Sequence, residues 1–271
     1  MARYVEVEAA IAMRGLRVVL TPGVPGPWTE AARGILRIKK IPYIKVRQRT
    51  GSEDQALAKW TAQTSAPVWV YDDERPRSLW NDQLYLAERL APEPALIPES
   101  LDERAAMFGL SNELCGENGL GWARRLMMFH VTLSNPNARE DARKAVSLLG
   151  VKYGYSTQLV ERAPARTAEV LRALAAQLSR QHASGSRYMI GQRLSALDVY
   201  WAAFAALIEP LPDELCALSP GLRRMYRCDA SPVQAAMTPE LLAHRDFIYR
   251  EYLELPLDLS VEKESENALP E

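Results

Sequence analysis

The chain has 271 residues, of which 48% are hydrophobic and 25% are charged, as in a soluble globular protein with one large domain or two ordinary ones. The 33 Lys and Arg residues nearly cancel the 34 Asp and Glu residues, so we expect no basic surface for nucleic acid. Three cysteines without a Cys-x-x-Cys pair argue against a disulfide framework and favour a reducing compartment.

The first residues do not resemble a secretory signal, because Glu6 and Glu8 interrupt the apolar residues from Val5 to Ile11. The longest apolar run in the chain is also shorter than the roughly 20 residues that a membrane helix needs. We therefore expect a cytoplasmic protein that has no membrane partner. Residues 1–15 are an N-terminal extension, and their pattern fits either a short helix or an extra strand.

The first regular elements predict a strand, a helix and a second strand. Leu16 to Thr21 is β-rich and ends at the Pro/Gly-rich residues 22–27. A helix begins at Pro27, a favoured first helical position, and continues to Lys39 and Lys40. Tyr43 to Gln48 then alternates apolar and polar residues, as a half-buried strand does. The handedness of such crossovers predicts that the two strands are parallel neighbours.

The order continues with a helix, two strands and another helix. The elements are a turn at residues 50–52, a helix over Glu53 to Thr61, a strand over Val68 to Tyr71, an antiparallel strand over Arg77 to Trp80 and a helix over Asp82 to Leu90. Pro67 stands just before the third strand. The sequence leaves open whether its peptide bond is cis or trans.

Three prolines, Pro92, Pro94 and Pro98, predict a stiff connector, and strand signals disappear after it. We expect a first domain over residues 16–91, a linker over 92–99, an all-helical domain over 100–258 and a disordered tail over 259–271. The predicted helices are Leu101 to Cys115, Trp122 to Leu133, Arg139 to Leu149, Pro164 to His182, Ser195 to Ile208, Leu215 to Cys228 and Pro239 to Leu253. Residues 152–163 form a long connection.

A helix-opening motif stands late in the chain. Gly191 permits a sharp turn, Ser195 can cap the next helix, and Asp198 can reach back to the Ser195 amide in a capping box. The residues from Val199 to Ile208 are apolar or aromatic on every face, which is typical of a central core helix. The pattern favours a structural role for Ser195 and Asp198 over a catalytic one.

This motif and the preceding element order resemble the glutathione transferase superfamily. The resemblance implies a thioredoxin-like domain followed by an all-helical domain, with glutathione as co-substrate. It also implies that Pro67 is cis and that the backbone of Ala66 pairs with the cysteinyl part of glutathione. Asp82 and Gln83 occupy the place of the residue pair that holds the γ-glutamyl group. The alternative for Asp82 is a helix cap.

The position of the family's catalytic residue is occupied by residues without a reactive side chain. The serine or cysteine of catalytic members falls on Gly26, and the tyrosine falls on about Pro22. The remaining candidates are Thr21, Thr29, the Gly26 and Trp28 amides, and the positive end of the first helix, which can stabilise a thiolate. Both threonines also fit strand-end or cap roles. Trp28 is either a wall of the substrate pocket or a packing residue.

Two functions follow from the resemblance. The first is a glutathione transferase acting on a hydrophobic electrophile by conjugation, peroxide reduction or isomerisation. The second is a non-catalytic glutathione-binding, ligand-binding or structural protein of the same fold. The resemblance also implies a homodimer, for which Trp60 and Trp69 are candidate exposed aromatics. No His or Cys spacing indicates a metal site.

Overall fold

The computed structural model describes residues 4–49 and 54–259. The turn predicted at residues 50–52 and all but the first residue of the predicted disordered tail lie outside the described residues. The domain boundaries proposed above remain predictions, and residues 92–99 lie between a helix of the first part and a helix of the second.

A three-stranded sheet forms the centre of the first part. Its strands are β1 (Leu16–Leu20), β2 (Ile44–Arg47) and β3 (Val68–Tyr71), in the order β2-β1-β3. β1 is parallel to β2, as predicted, and antiparallel to β3. All five residues of β1 are buried. Leu16, Val18 and Leu20 belong to the main core, and Val19 belongs to a smaller core on the other face.

The fourth strand, predicted at Arg77 to Trp80, is wrong. A single antiparallel bridge joins Arg77 to Trp69. A longer strand is prevented on one side by Pro76, which has no amide hydrogen to donate. On the other side, the next helix already begins at Trp80.

Four helices accompany the sheet: α1 (Val7–Ile11), α2 (Pro27–Ile38), α3 (Gln55–Thr61) and α4 (Trp80–Leu90). Both alternatives for the N-terminal extension hold in part, because Val5 makes a parallel bridge to Val46 before α1 begins. Gly26 is the extended residue before α2, and Pro27 is its first helical residue.

After residue 100, the described part of the chain contains helices and no strand. The helices are α5 (Leu101–Cys115), α6 (Leu120–Leu133), α7 (Glu140–Lys152), α8 (Thr157–Ala183), α9 (Ala196–Phe204), α10 (Pro220–Tyr226), α11 (Ser231–Ala236) and α12 (Pro239–Tyr252). One turn of 3-10 helix, Ala205–Leu207, continues α9.

Three of these helices differ from prediction. α8 begins at Thr157 instead of Pro164, because Ser156 caps its start by accepting a hydrogen bond from the Leu159 amide. The helix includes Pro164, so the predicted long connection shrinks to residues 153–156. α10 is shorter than predicted because Ser219 caps it at Pro220. The short helix α11 has no counterpart in the prediction.

α9 is the central helix of the second part, and all of its residues are buried. The predicted capping box is present: the Ser195 amide donates to Asp198 Oδ2 over 2.8 Å, and the motif has both reciprocal bonds. The other carboxylate oxygen accepts from the Met189 amide at 2.8 Å and lies 2.9 Å from His244 Nε2. Asp198 thus joins the start of α9, the loop before it and α12.

One hydrophobic core extends through both parts of the chain. It contains residues from β1, α2 and α4 as well as residues from α5, α8, α9 and α12. Gly34 of α2 allows the close contact, because a Cβ there would lie 3.1 Å from Val199 Cγ1 and 2.8 Å from Leu253 Cδ2. The sheet and the central helix are therefore held at a fixed separation.

Candidate functional site

A cleft of about 290 Å³ lies between the first part and the helical part. Its walls come from the end of β1, the start of α2, the segment before β3, and the helical part around α6 and α10. Five candidate residues from the sequence line it: Thr21, Gly26, Trp28, Thr29 and Ala66. The fold therefore brings these residues together at one opening.

Ala66 presents free backbone groups to the cleft. The Ala66–Pro67 peptide bond is cis. The side-chain amide of Gln83 donates to the Pro67 carbonyl at 3.1 Å and to the Arg77 carbonyl at 3.1 Å, which anchors this segment to α4. The Ala66 N–H and C=O have no hydrogen-bond partner among the described residues. They can pair with the backbone of an extended peptide-like ligand.

The start of α2 provides amide donors at the same cleft. The Gly26 amide is already bonded to the Val24 carbonyl at 2.9 Å, so it is not one of them. Pro27 has no N–H. The Trp28 and Thr29 amides lie in the first turn, where no acceptor exists within the helix, and the residue before the helix provides no side-chain cap. These two amides and the helix dipole favour an anion here.

The two threonine hydroxyls differ in availability. Thr21 donates its hydroxyl hydrogen to Gln48 Oε1, and Gln48 Nε2 donates in turn to the Thr64 carbonyl at 2.8 Å. Thr29 Oγ1 has no hydrogen-bond partner within the described part of the chain, and it lies 3.7 Å from the Cβ that a side chain at Gly26 would have. Thr29 therefore has a free hydroxyl beside Gly26, the position that the resemblance assigns to the family's serine or cysteine.

Trp28 packs against its neighbours and also lines the cleft, and its role as a wall of a substrate pocket remains a prediction. Its indole N–H donates to the Cys115 carbonyl at 3.0 Å, and its ring packs edge-on against Phe204 with centroids 4.9 Å apart. The same ring lines the cleft and lies 6.5 Å from the Tyr153 ring. Gly121 makes room for it, because a Cβ there would lie 2.9 Å from Trp28 Cη2.

Arg125 is a cleft residue that the sequence reasoning missed. Its guanidinium carbon lies 5.8 Å from the centroid of the Trp28 ring. Burial raises the pKa of the Tyr153 and Tyr226 hydroxyls, and the neighbouring Arg125 charge opposes part of that rise. The only sequence signal was a pair of arginines, Arg124 and Arg125, inside a mainly apolar helix.

Asp82 and Gln83 do not line this cleft. Asp82 is the third residue of α4, and its carboxylate pairs with Arg75 at 3.0 Å. The cap position belongs to Leu79, so the alternative of an Asp82 cap is wrong. Gln83 is buried with its side-chain amide bonded internally. The glutathione-binding roles of both residues remain predictions.

The candidate exposed aromatics need correction. Trp69 is fully buried because its side chain belongs to the main core, and Trp60 is partly buried against the smaller core with Arg17 over its ring. Among the exposed large apolar side chains of the described residues are Leu79, Tyr85 and Leu101, which lie on or beside α4 and α5.

Three short findings bear on other classes of function. The cysteines Cys115, Cys216 and Cys228 are free and buried. In the described ranges, His, Cys, Asp and Glu side chains form no group that could hold a metal ion. Of the helices within those ranges, none combines the length and apolar character that crossing a bilayer requires.

The sequence matches no protein-family model and no curated protein. The solved structures give consistent likenesses. A glutathione S-transferase domain-containing protein of Marinobacter aquaeolei VT8 matches with a TM-score of 0.60 and 16% identity, over 87% of this chain and 98% of the other.

Two further structures contain glutathione. A glutathione S-transferase of Methylobacillus flagellatus KT with glutathione bound has a TM-score of 0.57 and 13% identity, over 88% of this chain and 96% of the other. Rice GST1 in complex with glutathione has a TM-score of 0.57 and 17% identity, over 90% of this chain and 93% of the other. The structural similarity establishes a shared architecture, and at identities this low it establishes nothing beyond the fold. The chain therefore has the fold of the glutathione transferase superfamily.

Proposed function

We propose that the chain binds glutathione in this cleft and activates its thiol for reaction with a hydrophobic electrophile, by conjugation, peroxide reduction or isomerisation. The observation that carries the proposal is the free backbone pair of Ala66 beside the cis proline, facing the start of α2. An extended tripeptide that paired with Ala66 would bring its thiol toward the Trp28 and Thr29 amides. Those donors favour the thiolate over the thiol.

The γ-glutamyl end of glutathione is assigned to Asp82 in this proposal. A carboxylate in the first turn of α4 can bind the ammonium group, and Gln83 supports the site by holding the Pro67 carbonyl. Binding must compete with Arg75 for the Asp82 carboxylate, and that pair is exposed enough to be weak. The three buried free cysteines support a reducing compartment such as the cytoplasm.

Removing the free Thr29 hydroxyl beside Gly26 should weaken activation of the glutathione thiol. We expect Thr29→Val, which keeps the shape, to raise the pKa of the bound thiol by about one unit and to slow conjugation about tenfold. The reverse change, Gly26→Ser, should lower that pKa, since Gly26 has an ordinary extended backbone and space for a Cβ. Ultraviolet difference spectroscopy of the thiolate and turnover of an aryl halide measure the two effects.

Calorimetry with glutathione is the direct test of binding. No heat at about millimolar glutathione would refute the proposal. Thr21→Val is the matched control, because its hydroxyl already donates to Gln48. If Thr29→Val and Gly26→Ser both leave the thiol pKa and the rate unchanged in folded protein, the thiol lies elsewhere in the cleft.

A non-catalytic binding protein is the second candidate. Gly26, at the position of the family's reactive serine or cysteine, favours it, because no side-chain hydroxyl or thiol is present there. A mixed disulfide with glutathione cannot form at that residue. Glutathione binding without turnover of any thiol acceptor would support this candidate, whereas turnover that Asp82→Asn abolishes would exclude it.

We propose that two copies associate through the apolar surface of α4 and α5. Leu79, Tyr85 and Leu101 are 60%, 54% and 69% exposed, and the Tyr85 ring stacks on Phe108 with centroids 5.4 Å apart. Exposed apolar surface of this kind is typical of a protein interface. A homodimer would bury it.

Disrupting this surface should shift the chain toward monomer. Tyr85→Ser should weaken association by about tenfold or more, because aromatic anchors dominate such interfaces. Light scattering across a dilution series measures the mass against the 30.4 kDa monomer. Val151→Ser is the control, since Val151 is 83% exposed at the end of α7. A wild-type mass equal to the monomer at every concentration would contradict the dimer.

A further inference from the structure

The glutathione proposal leaves the charge of the cleft unexplained. Arg125 is a fixed positive charge in its wall, and Arg125 makes no ion pair with any residue in the part of the chain that the structure describes. No Asp or Glu of the described residues lines the cleft. A cation among mainly apolar walls, with no carboxylate to neutralise it, is a recognition element for an anion.

The surroundings of Arg125 hold the guanidinium in place without satisfying it. The Trp28 ring lies beneath it at 5.8 Å, and the hydroxyls of Tyr153 and Tyr226 are its polar neighbours. A guanidinium has five N–H donors, and two neutral phenols do not balance its charge. The phenols can also donate to an anion that binds beside them.

The rest of this wall is aromatic and apolar. Phe129 and Tyr153 pack edge-on with centroids 5.3 Å apart, Trp28 lies edge-on to Tyr153, and Met128 also lines the cleft. Ring faces and edges arranged in this way favour an aromatic ligand that packs against them. The wall therefore combines an aromatic apolar surface with one positive charge.

Glutathione has another cation available for its own glycyl carboxylate. Lys152, the last residue of α7, donates to the Ser65 hydroxyl, which is adjacent to Ala66. If the cysteinyl group pairs with Ala66, the glycyl carboxylate that follows it can bind this ammonium. Arg125 then remains for the second ligand.

We propose that the second substrate is an aromatic carboxylate: an apolar ring that packs against the aromatic wall around Tyr153 and Trp28, with an anionic group bound by Arg125. Its identity as the electrophile rests on the proposed function. Its binding does not, because none of the residues invoked here needs glutathione to be present.

The test compares two ligands of the same shape. Calorimetry without glutathione should show that para-nitrobenzoate binds the wild-type protein about tenfold or more tightly than para-nitrobenzamide, since only the first carries a charge. Arg125→Gln should abolish this preference, and Arg125→Lys should retain part of it. Arg172→Gln, which removes an exposed arginine of α8, should leave it unchanged.

Equal affinity of the wild-type protein for both ligands would overturn the inference, whether or not any variant folds. Retention of the full preference in Arg125→Gln would also overturn it. A parallel titration with glutathione separates the two proposals. If glutathione fails to bind while the carboxylate preference stands, the proposed function fails and this inference holds. If Arg125→Gln loses glutathione affinity and the wild type shows no carboxylate preference, the guanidinium serves glutathione and the inference is wrong.

Discussion

Asp198→Ala should lower the free energy of unfolding by about 4 kcal/mol, because it leaves several buried hydrogen-bond donors without an acceptor. The carboxylate is fully buried and accepts from the Ser195 amide and hydroxyl, each at 2.8 Å, and from the Met189 amide at 2.8 Å. His244 Nε2 lies 2.9 Å from Oδ1, the oxygen that also accepts from Met189. Chemical denaturation followed by circular dichroism measures the loss.

Two milder variants define the cause. Ser195→Ala should cost about 1 kcal/mol, the usual effect of losing a helix cap. Asp198→Asn keeps an acceptor for Met189, but its NH₂ group cannot accept from Ser195, so its effect should fall between the other two. An Asp198→Ala variant no less stable than Ser195→Ala would show that the carboxylate is not the centre of this network.

Arg33→Met should cost about 3 kcal/mol at neutral pH, since it leaves a buried carboxylate without its partner. Arg33 Nη1 lies 3.1 Å from Glu30 Oε1, and both side chains are about nine-tenths buried. The same guanidinium donates to the Asp258 carbonyl at 3.1 Å and pairs with Glu254 at 3.4 Å. The double variant Glu30→Gln/Arg33→Met should recover most of the loss.

The cost of Arg33→Met should depend on pH. Burial raises the pKa of Glu30 even beside Arg33, and removing the arginine raises it further. The folded state then binds a proton more readily than the unfolded state, so stability falls as pH rises above the unfolded pKa of Glu30. The difference in free energy of unfolding between Arg33→Met and the wild type should therefore shrink as the pH falls from about 8 to about 5. A difference that stays constant over this range would exclude Glu30 as the cause.

The sequence predicted those features that local chemistry determines. Strand β1 is bounded by glycine and proline residues, and α2 begins at Pro27 because proline is favoured there. The capping box from Ser195 to Asp198 depends on residues three positions apart, so it could be read directly. The absence of a reactive side chain at Gly26 was visible for the same reason.

Other features depend on contacts between distant residues, and the sequence did not reveal them. Trp69 was a candidate exposed aromatic, yet its side chain is completely buried in the main core. Thr21 and Thr29 look equivalent in sequence, but only the Thr21 hydroxyl is hydrogen-bonded to Gln48. Arg125 lies in the cleft beside Trp28, and a contact between residues so far apart in the chain leaves no local sequence signal.

The shared core also determines how the chain should respond to a protease. The proline-rich connector at residues 92–99 is the natural place for cleavage, but α2 and α9 would still be packed together through Gly34 and Val199. The C-terminal residues return to the sheet as well, where Lys45 pairs with Asp258 at 3.2 Å. A nicked chain should therefore keep both fragments in one particle, and its cleft, which both fragments build, should survive the cut.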